Sequence, residues 1–298
     1  MSRDVTELNV VLAVARRRGF RAAALELSMS TTAVSNAVAS LEARLGVRLF
    51  HRTTRSVSLT EAGKQFIERI GPAVAEIQLA MEEAGGQNAS PSGSLRINCA
   101  LGAALMIFTP ILHRYLQRYP AMTLDIVTDG RMVDIIGEGF DAGIRVSHSV
   151  PQDMIRVPIS REIPLAVVAS AAYFQRHAPP QTPEDLMHHH CIRGRLPGGL
   201  PSGWLFVRQG EEFTLHVPGP LILDSPQLML SAVRHHMGIA QIPRWYVENE
   251  LSNGSLVSVL APWLQPMPGL SLYYAGRRHI PTALRTLIEL IREVNEVD

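Results

Sequence analysis

Cysteine is scarce in this sequence. Cys99 and Cys191 are the only two in 298 residues and lie far apart. That excludes a disulfide-stapled scaffold and points to a reducing compartment with two free, buried thiols. No apolar run is long enough to cross a bilayer. The stretch Val10 to Ala15 ends in Ala13-Val14-Ala15, which mimics a signal-peptidase site. The run is too short, however, and Asp4 and Glu7 precede it while Arg16, Arg17 and Arg18 follow. That order is wrong for export, so the expectation is a cytoplasmic protein with no membrane contact. Proline is nearly missing from the first 85 residues, where Pro72 stands alone, and this segment reads as helix almost throughout.

Catalytic signatures are missing as well. There is no Gly-x-Ser-x-Gly elbow, no phosphate loop, and no Ser/His/Asp set that spacing can assign. Gly137-x-Gly139-x-x-x-Gly143 has the wrong final spacing for a dinucleotide fingerprint and leads into a strand rather than a helix. His188-His189-His190-Cys191 and His235-His236 lack a further ligand at zinc spacing, and adjacent histidines point different ways. No metal, no cofactor and no enzymatic activity are expected.

What is present is a chain long enough for two to three domains, 46% apolar and 18% charged. The net charge of +1 hides an asymmetry. Residues 1–60 carry nine arginines against four carboxylates, and the remainder 19 basic against 23 acidic residues. A basic end on a slightly acidic body suggests a polyanion partner at one end only. Gly85 to Ser94 is rich in Gly, Ser and Asn and reads as a linker. Beyond it, strands at Leu95–Cys99, Met122–Val127, Gly143–Val146, Pro164–Ala169, Leu221–Leu223 and Ile239–Ile242 alternate with helical stretches. The helical ones are Ala103–Tyr119, a short one near Arg131–Glu138, and an amphipathic one closing the chain at Thr282–Val294. That rhythm argues for an α/β domain with largely parallel sheets.

The N-terminal segment carries the most specific pattern. A first helix from about Asp4 to Arg17 places Leu8, Leu12 and Ala15 on one face and is stopped by Gly19. An alanine-rich second helix, Arg21 to Leu27, allows close approach. Ser30 then suits the N-cap of a third helix in which Val34, Val38, Leu41 and Leu45 form one apolar stripe. The opposite face holds Thr31, Thr32, Ser35, Asn36 and Ala39, all short and free of acid up to Glu42. A helix lying in a DNA major groove needs such a slim, hydrogen-bonding face. Gly46 ends the helix. Val47–Leu49 and Ser56–Leu59 can pair as a wing whose tip offers His51, Arg52, Thr54 and Arg55 to phosphates or the minor groove. The pattern is a winged helix-turn-helix, with a helical subdomain packed on protein as the alternative. Thr60 can cap a long helix from Glu61 with an apolar stripe of Phe66, Ile70, Ala73, Ile77 and Met81. Pairing of that stripe with a second copy predicts a dimer, and packing on the next domain is the alternative. Pro72 should kink or loosen it.

Taken together, Phe20-Arg21-Ala22-Ala23-Ala24, Ala33-Val34-Ser35, Leu41 through Phe50, Arg52-Thr53-Thr54-Arg55 and Leu59-Thr60-Glu61-Ala62-Gly63 resemble the LysR-type transcriptional regulators. Tyr119-Pro120 and Gly139-Phe140-Asp141-Ala142-Gly143-Ile144-Arg145 extend the resemblance into the second domain. The resemblance implies an α+β multidomain chain. Its parts would be a winged helix-turn-helix at 1–60, a dimerising linker helix at 61–86, a hinge at 87–93 and an effector-binding domain at 94–298. That last domain would resemble a periplasmic solute-binding protein, with one subdomain at 94–162 plus 268–298 and another at 163–267. It also implies double-stranded promoter DNA and a small-molecule effector as partners, and dimers pairing into tetramers. Many members carry Arg, Gln or Lys where this chain has Asn36 and Ala39, which shifts weight to the wing and DNA shape. Many also carry Ser or Thr after the first strand of the effector domain, where this chain has Cys99-Ala100-Leu101-Gly102-Ala103.

In open α/β sheets ligands sit beyond the carboxyl ends of the strands. That rule selects Ala100, Leu101, Gly102, Thr128, Arg145, Ser147, His148, Arg193, Arg195, Asp224, Ser225, Ile242 and Pro243 as effector-cleft candidates. Arg145, Arg193 and Arg195 would suit an anionic effector, as would backbone N–H groups at the start of the helix after Ala100. The alternatives are a surface ion pair for Arg145, a loop cover for Arg193 and Arg195, and plain core for Ala100 and Leu101. Two rival functions remain in view: a solute-binding protein without a DNA role, and an enzyme built on the α/β domain.

Overall fold

The computed structural model describes residues 3–52, 57–84, 91–196, 198–276 and 280–295. It divides into two compact units, the first centred on residues 1–91 and the second on residues 92–278 and 283–298. No helix among the described residues is long and apolar enough to cross a membrane.

The first unit runs α1 (Arg3–Arg17), α2 (Phe20–Glu26), α3 (Thr31–Leu45), β1 (Phe50–Arg52), β2 (Val57–Leu59) and α4 (Glu61–Ala84). Its core gathers Val10, Val11, Ala13 and Val14 of α1, Ala23 and Ala24 of α2, Val34, Val38 and Leu41 of α3, and Leu49 and Phe50. The expected face of α1, Leu8, Leu12 and Ala15, is only half-buried. The helix packs against α2, α3 and α4 together, so the deepest positions lie on a broader face. Arg18, with φ of +50°, takes the left-handed turn after α1, while Gly19 is extended and serves as N-cap of α2. The α3 stripe is buried as expected except Leu45, which is exposed where the helix ends at left-handed Gly46.

The wing begins later than its sequence suggests. β1 starts at Phe50, not Val47, and pairs antiparallel with β2 through Phe50–Leu59, His51–Ser58 and Arg52–Val57. Leu49 and Phe50 are drawn into the core, and their N–H groups donate to Oε1 of Glu42 at 2.8 and 3.2 Å. His51 thus sits on a strand rather than at the tip. Residues 53–56, with Thr54 and Arg55, and the Arg52 side chain lie outside the described residues.

Thr60 fixes the start of α4. Its hydroxyl donates to the Arg48 carbonyl at 2.7 Å and accepts the Gly63 N–H at 2.9 Å, while its own N–H donates to the Leu49 carbonyl. Gly63 lies so close to the wing that a Cβ there would stand 2.1 Å from the Leu49 oxygen. α4 continues through Pro72 as one 24-residue helix. Phe66 and Ile67 pack on the core of the first unit. Val74 is buried, whereas Ala73 and Ile77 are exposed and the Met81 side chain is not described.

The second unit contains β3 (Gly93–Cys99), α5 (Leu101–Phe108), α6 (Leu112–Arg118), β4 (Met122–Thr128), β5 (Ala142–Val146), β6 (Met154–Pro158), β7 (Leu165–Ser170) and α7 (Ala171–Phe174). It continues with β8 (Cys191–Gly194), β9 (Trp204–Arg208), β10 (Glu211–Leu215), β11 (Leu221–Leu223), α8 (Pro226–Arg234), β12 (Ile239–Pro243), α9 (Glu248–Ser252), β13 (Leu256–Val259), β14 (Leu270–Ala275) and α10 (Thr282–Asn295). Two five-stranded sheets result, ordered β4-β3-β5-β14-β6 and β11-β8-β12-β7-β13, with β9 and β10 as a separate hairpin. In each sheet four strands run one way and one runs against them, β14 in the first and β7 in the second. The reversed strand is in each case the first one the chain lays down on arriving from the other sheet.

Two segments connect the sheets and are tied to each other. Ile163 and Met267 form an antiparallel bridge, with N–H to carbonyl distances of 2.8 and 2.9 Å. The expected helix over 103–119 is two helices, divided around Thr109 and Pro110. The expected helical stretch at 131–138 is a set of turns instead. Asp134 Oδ1 accepts the N–H groups of Ile136 and Gly137, satisfying the backbone locally without a helix.

The Gly63 contact gives a direct test. Gly63→Ala should lower the stability of the first unit by about 1–3 kcal/mol, since the methyl meets backbone and not a flexible side chain. Urea unfolding followed by helical circular dichroism measures it; an unchanged midpoint would contradict the close approach.

Candidate nucleic-acid interface and effector cleft

The α3 helix is fixed from behind and at its ends. Ser30 Oγ accepts the Ala33 N–H at 3.1 Å, a cap worth about 1 kcal/mol. Arg44 in the last turn reaches Glu7 at 2.7 Å and Asp4 at 3.2 Å on α1. Thr31, Thr32, Asn36 and Ala39 are exposed and Ser35 is half-buried, so the five short side chains singled out from sequence do share the outward side of the helix. Glu42, the first acid along α3, turns its carboxylate to the backbone of Leu49 and Phe50. The same carboxylate therefore sets the start of the wing.

A shallow, open hollow continues this face. Ala39, Glu42, Ala43, Gly46, Val47 and Arg48 line it. Its walls are low because alanines occupy the positions where long side chains would fill it. Arg48 and Arg21, neither of which was singled out as a contact from sequence, are exposed on this unit together with Ala22 and His51. Arg16 and Arg17, in contrast, are paired with Glu26. Of the arginines in this basic segment, some therefore brace the fold and others face outward, a division that charge counting cannot make.

In the second unit, Ala100, Leu101 and Gly102 follow β3, Thr128 ends β4, and Arg145, Ser147 and His148 lie at the end of β5. Arg193 and Arg195 lie at the end of β8, Asp224 and Ser225 after β11, and Ile242 and Pro243 at the end of β12. The two groups belong to the two sheets, and one close approach joins them. A Cβ on Gly102 would stand 2.9 Å from the hydroxyl of Tyr246, which follows β12. Tyr246, on which Trp245 stacks, stands at this approach and was not among the residues chosen from the sequence. Their signal was an aromatic pair directly after a strand end.

Several candidates are committed elsewhere. Arg145 is buried, its guanidinium donating to the carbonyls of Ile144, Asp129 and Arg131 and to Asn98 Oδ1. It bridges to no surface acid and presents no open fork to the cleft. Arg193 reaches back to the Gly219 carbonyl at 2.9 Å. Arg195 donates to the Gly199 carbonyl of its own loop. Ser147 donates to the Gly269 carbonyl and lies 2.7 Å from Ser271 Oγ, which places it in the connection between sheets. Ile242 is core beneath α8. Leu101, Thr128, His148 and Asp224 are exposed at the sheet ends, and Ala100, Gly102, Ser225 and Pro243 are half-buried there.

Burial also decides the cysteine chemistry. It pushes the Cys99 thiol up to about 11 against the pull of Arg145, and the Cys191 thiol up to about 12 against the pull of Arg193. His189, in the histidine run, has its Nδ1 3.2 Å from the Tyr173 hydroxyl, and burial lowers its pKa. Among the described residues no three His, Cys, Asp or Glu side chains gather as a metal set.

Comparison with known proteins matches both halves. Residues 5–64 fit the family described as bacterial regulatory helix-turn-helix protein, lysR family, and residues 88–296 fit the LysR substrate binding domain. The chain is 38% identical to the uncharacterized HTH-type transcriptional regulator YcaN of Escherichia coli K12, over 98% of this chain and 96% of that one. It is 34% identical to the HTH-type transcriptional regulator PgrR of the same organism, over 97% of each. Among solved structures it resembles CrgA, a LysR-type transcriptional regulator from Neisseria meningitidis. The TM-score is 0.60 at 28% identity, over 97% of this chain and 98% of that one. Its fold also resembles full-length AphB of Vibrio cholerae, with a TM-score of 0.61 at 22% identity over 97% and 99%.

The buried thiols predict slow chemistry. At pH 8 a thiol-specific disulfide reagent should titrate fewer than one group per native chain and two after denaturation. Fast titration of either cysteine in the native protein would contradict the burial.

Proposed function

This chain belongs to the LysR family of transcriptional regulators, and from that premise we propose how its parts divide the work. A helix-turn-helix binds DNA, and a regulatory domain binds a small-molecule effector that modulates promoter binding. In our reading the DNA-binding domain is 1–60, the linker helix 61–86, the hinge 87–93 and the effector domain 94–298. The effector domain divides into 94–162 with 268–298, and 163–267. The adjacent pair of connections at Ile163 and Met267 supports that last division.

The observation that carries the DNA assignment is the bare, acid-free side of α3, held by Val34, Val38 and Leu41 from behind. Thr31, Thr32, Ser35 and Asn36 reach base edges and phosphates in the major groove, Ser30 opens the helix beside them, and Ala39 keeps the approach close. Arg52, Thr54 and Arg55 of the wing contact phosphates or the minor groove, and Arg21 and Arg48 add phosphate contacts. The protein acts in the cytoplasm, where its DNA is. The exposed Ala73 and Ile77 of α4 support self-association along this helix. Dimers, pairing further into tetramers, would place two reading heads on one promoter. It is not an enzyme.

The effector sits between the two sheets near Gly102 and Tyr246, with Leu101, Thr128 and Ser225 at the rim. It draws the sheets together about the two connections and so alters the placement of the DNA-binding heads. This works only to the extent that the effector binds one arrangement better than the other. The arginines are largely engaged with carbonyls, so an anionic effector would rely on backbone N–H groups more than on guanidinium forks.

Substitution separates reading from gripping. Asn36→Ala should cost about 1–3 kcal/mol on the preferred site and relax its sequence preference. Arg52→Ala should weaken binding on all sequences and reduce the salt slope by about one phosphate contact. Fluorescence anisotropy on a selected genomic fragment across a salt series measures both. Wild-type preference in Asn36→Ala, or a wild-type slope in Arg52→Ala, would remove that residue from the interface.

A further inference from the structure

The buried side chain of Arg145 has no anionic partner. It is 6% exposed, and its acceptors are the carbonyls of Ile144, Asp129 and Arg131 and the side-chain oxygen of Asn98, all neutral. Asp129 feels its charge, yet the Asp129 carboxylate is turned to Arg131 at 2.6 Å. A cation removed from water without a counter-charge is costly, and native proteins normally supply one.

One polar atom of this guanidinium and two on neighbouring strands are unpartnered. Arg145 Nε, Asn98 Nδ2 and Tyr273 Oη are all buried and without a hydrogen-bond partner. Their residues are 6%, 0% and 1% exposed. Strand register brings them to one face. Asn98 on β3 and Tyr273 on β14 both stand directly opposite Gly143 on β5, and Arg145 is two residues further along β5. Side chains at such positions point the same way, and neighbouring strands are about 4.8 Å apart. Gly143 lets them converge. A Cβ there would lie 2.4 Å from the Tyr273 ring, so the phenol lies across β5 towards Asn98. Since Asn98 Oδ1 already accepts from Arg145, its free end is the NH2 donor.

We propose that this face of the first sheet, beneath residues 129–131, binds one small monovalent anion of chloride or formate size through Arg145, Asn98 and Tyr273. The set offers an N–H, an NH2 and an O–H beside a fixed positive charge, which is the complement of an anion. A single water could satisfy the hydrogen bonds but would leave the charge unbalanced. The site lies on a buried face of the sheet at the carboxyl ends of β3 and β5, beside the strand ends of the proposed effector cleft. An occupied site would stiffen the connection from β4 through residues 129–131, which Arg145 already holds by two carbonyls.

The three tryptophans, Trp204, Trp245 and Trp263, all lie in the second unit, so their fluorescence reports its unfolding in the full chain. Melting should be compared in sodium formate, chloride and gluconate at one ionic strength, gluconate being too large to enter. The expected result is a Tm higher in formate or chloride than in gluconate, by about 3 °C at tenfold excess over the dissociation constant. Asn98→Asp, which places a carboxylate beside Arg145, should abolish the difference. Tyr273→Phe keeps the ring over Gly143, deletes one donor and should weaken anion affinity about tenfold. Should Asn98→Asp not fold, Tyr273→Phe decides alone. Equal melting in all three salts, or a difference that the variants share with wild type, would mean that water fills the site and would overturn the proposal.

Discussion

The reading surface depends on α3 being held only from one side. Val34, Val38 and Leu41 press into the core made with Val10, Val14 and Ala23. Ser30 closes one end, and Arg44 ties the other to Glu7 and Asp4. These anchoring contacts lie behind the helix or at its ends, and Thr31, Thr32, Asn36 and Ala39 are exposed. Burial of three aliphatic side chains supplies several kcal/mol, enough to keep a polar face rigid without using it. Glu42 extends the same logic to the wing. One carboxylate accepts two backbone N–H groups and so turns the acid near the end of α3 towards the wing.

The second unit answers a different constraint. Two sheets with parallel cores need their ligand beyond the strand ends, and they need a connection that lets them move without separating. The bridge between Ile163 and Met267 keeps the two connections side by side, and Ser147 ties the end of β5 to Gly269 and Ser271, where the returning chain enters β14. Tyr246 over Gly102 marks where the sheets meet. A buried polar cluster centred on Arg145 ties β5 to residues 129–131 in the first sheet.

Much of this was legible in the sequence, for physical reasons. The α3 stripe and its cap were clear because the helix buries a single face and its start is set by the next residue. The strand–helix rhythm placed β3, β4, β5, β7, β11 and β12, each a short apolar run bounded by turns, and missed β6, β8, β9, β10, β13 and β14. Other features depend on distant partners. Leu8 and Ala15 of the expected α1 face do pack on the core, but Val10, Val11, Ala13 and Val14 lie deeper because three helices surround α1. The wing slipped by three residues because Glu42, far back on α3, sets where pairing begins. The stretch at 131–138 looked helical by composition, but Asp134 satisfies its backbone in turns. The strand-end rule marked a set of candidate positions and could not tell which arginines among them are free. Arg145 is caged by the carbonyls of Ile144 and of Asp129 and Arg131, Arg193 by one from beyond the hairpin.

The central claim is that the outer face of α3 enters the major groove. Dimethyl sulfate methylates guanine N7 there, so methylation protection on a fragment selected from the source genome reads the contact directly. The account predicts guanines shielded by the wild-type protein in successive major grooves on one side of the duplex. Binding that leaves every guanine N7 as reactive as in free DNA would contradict it.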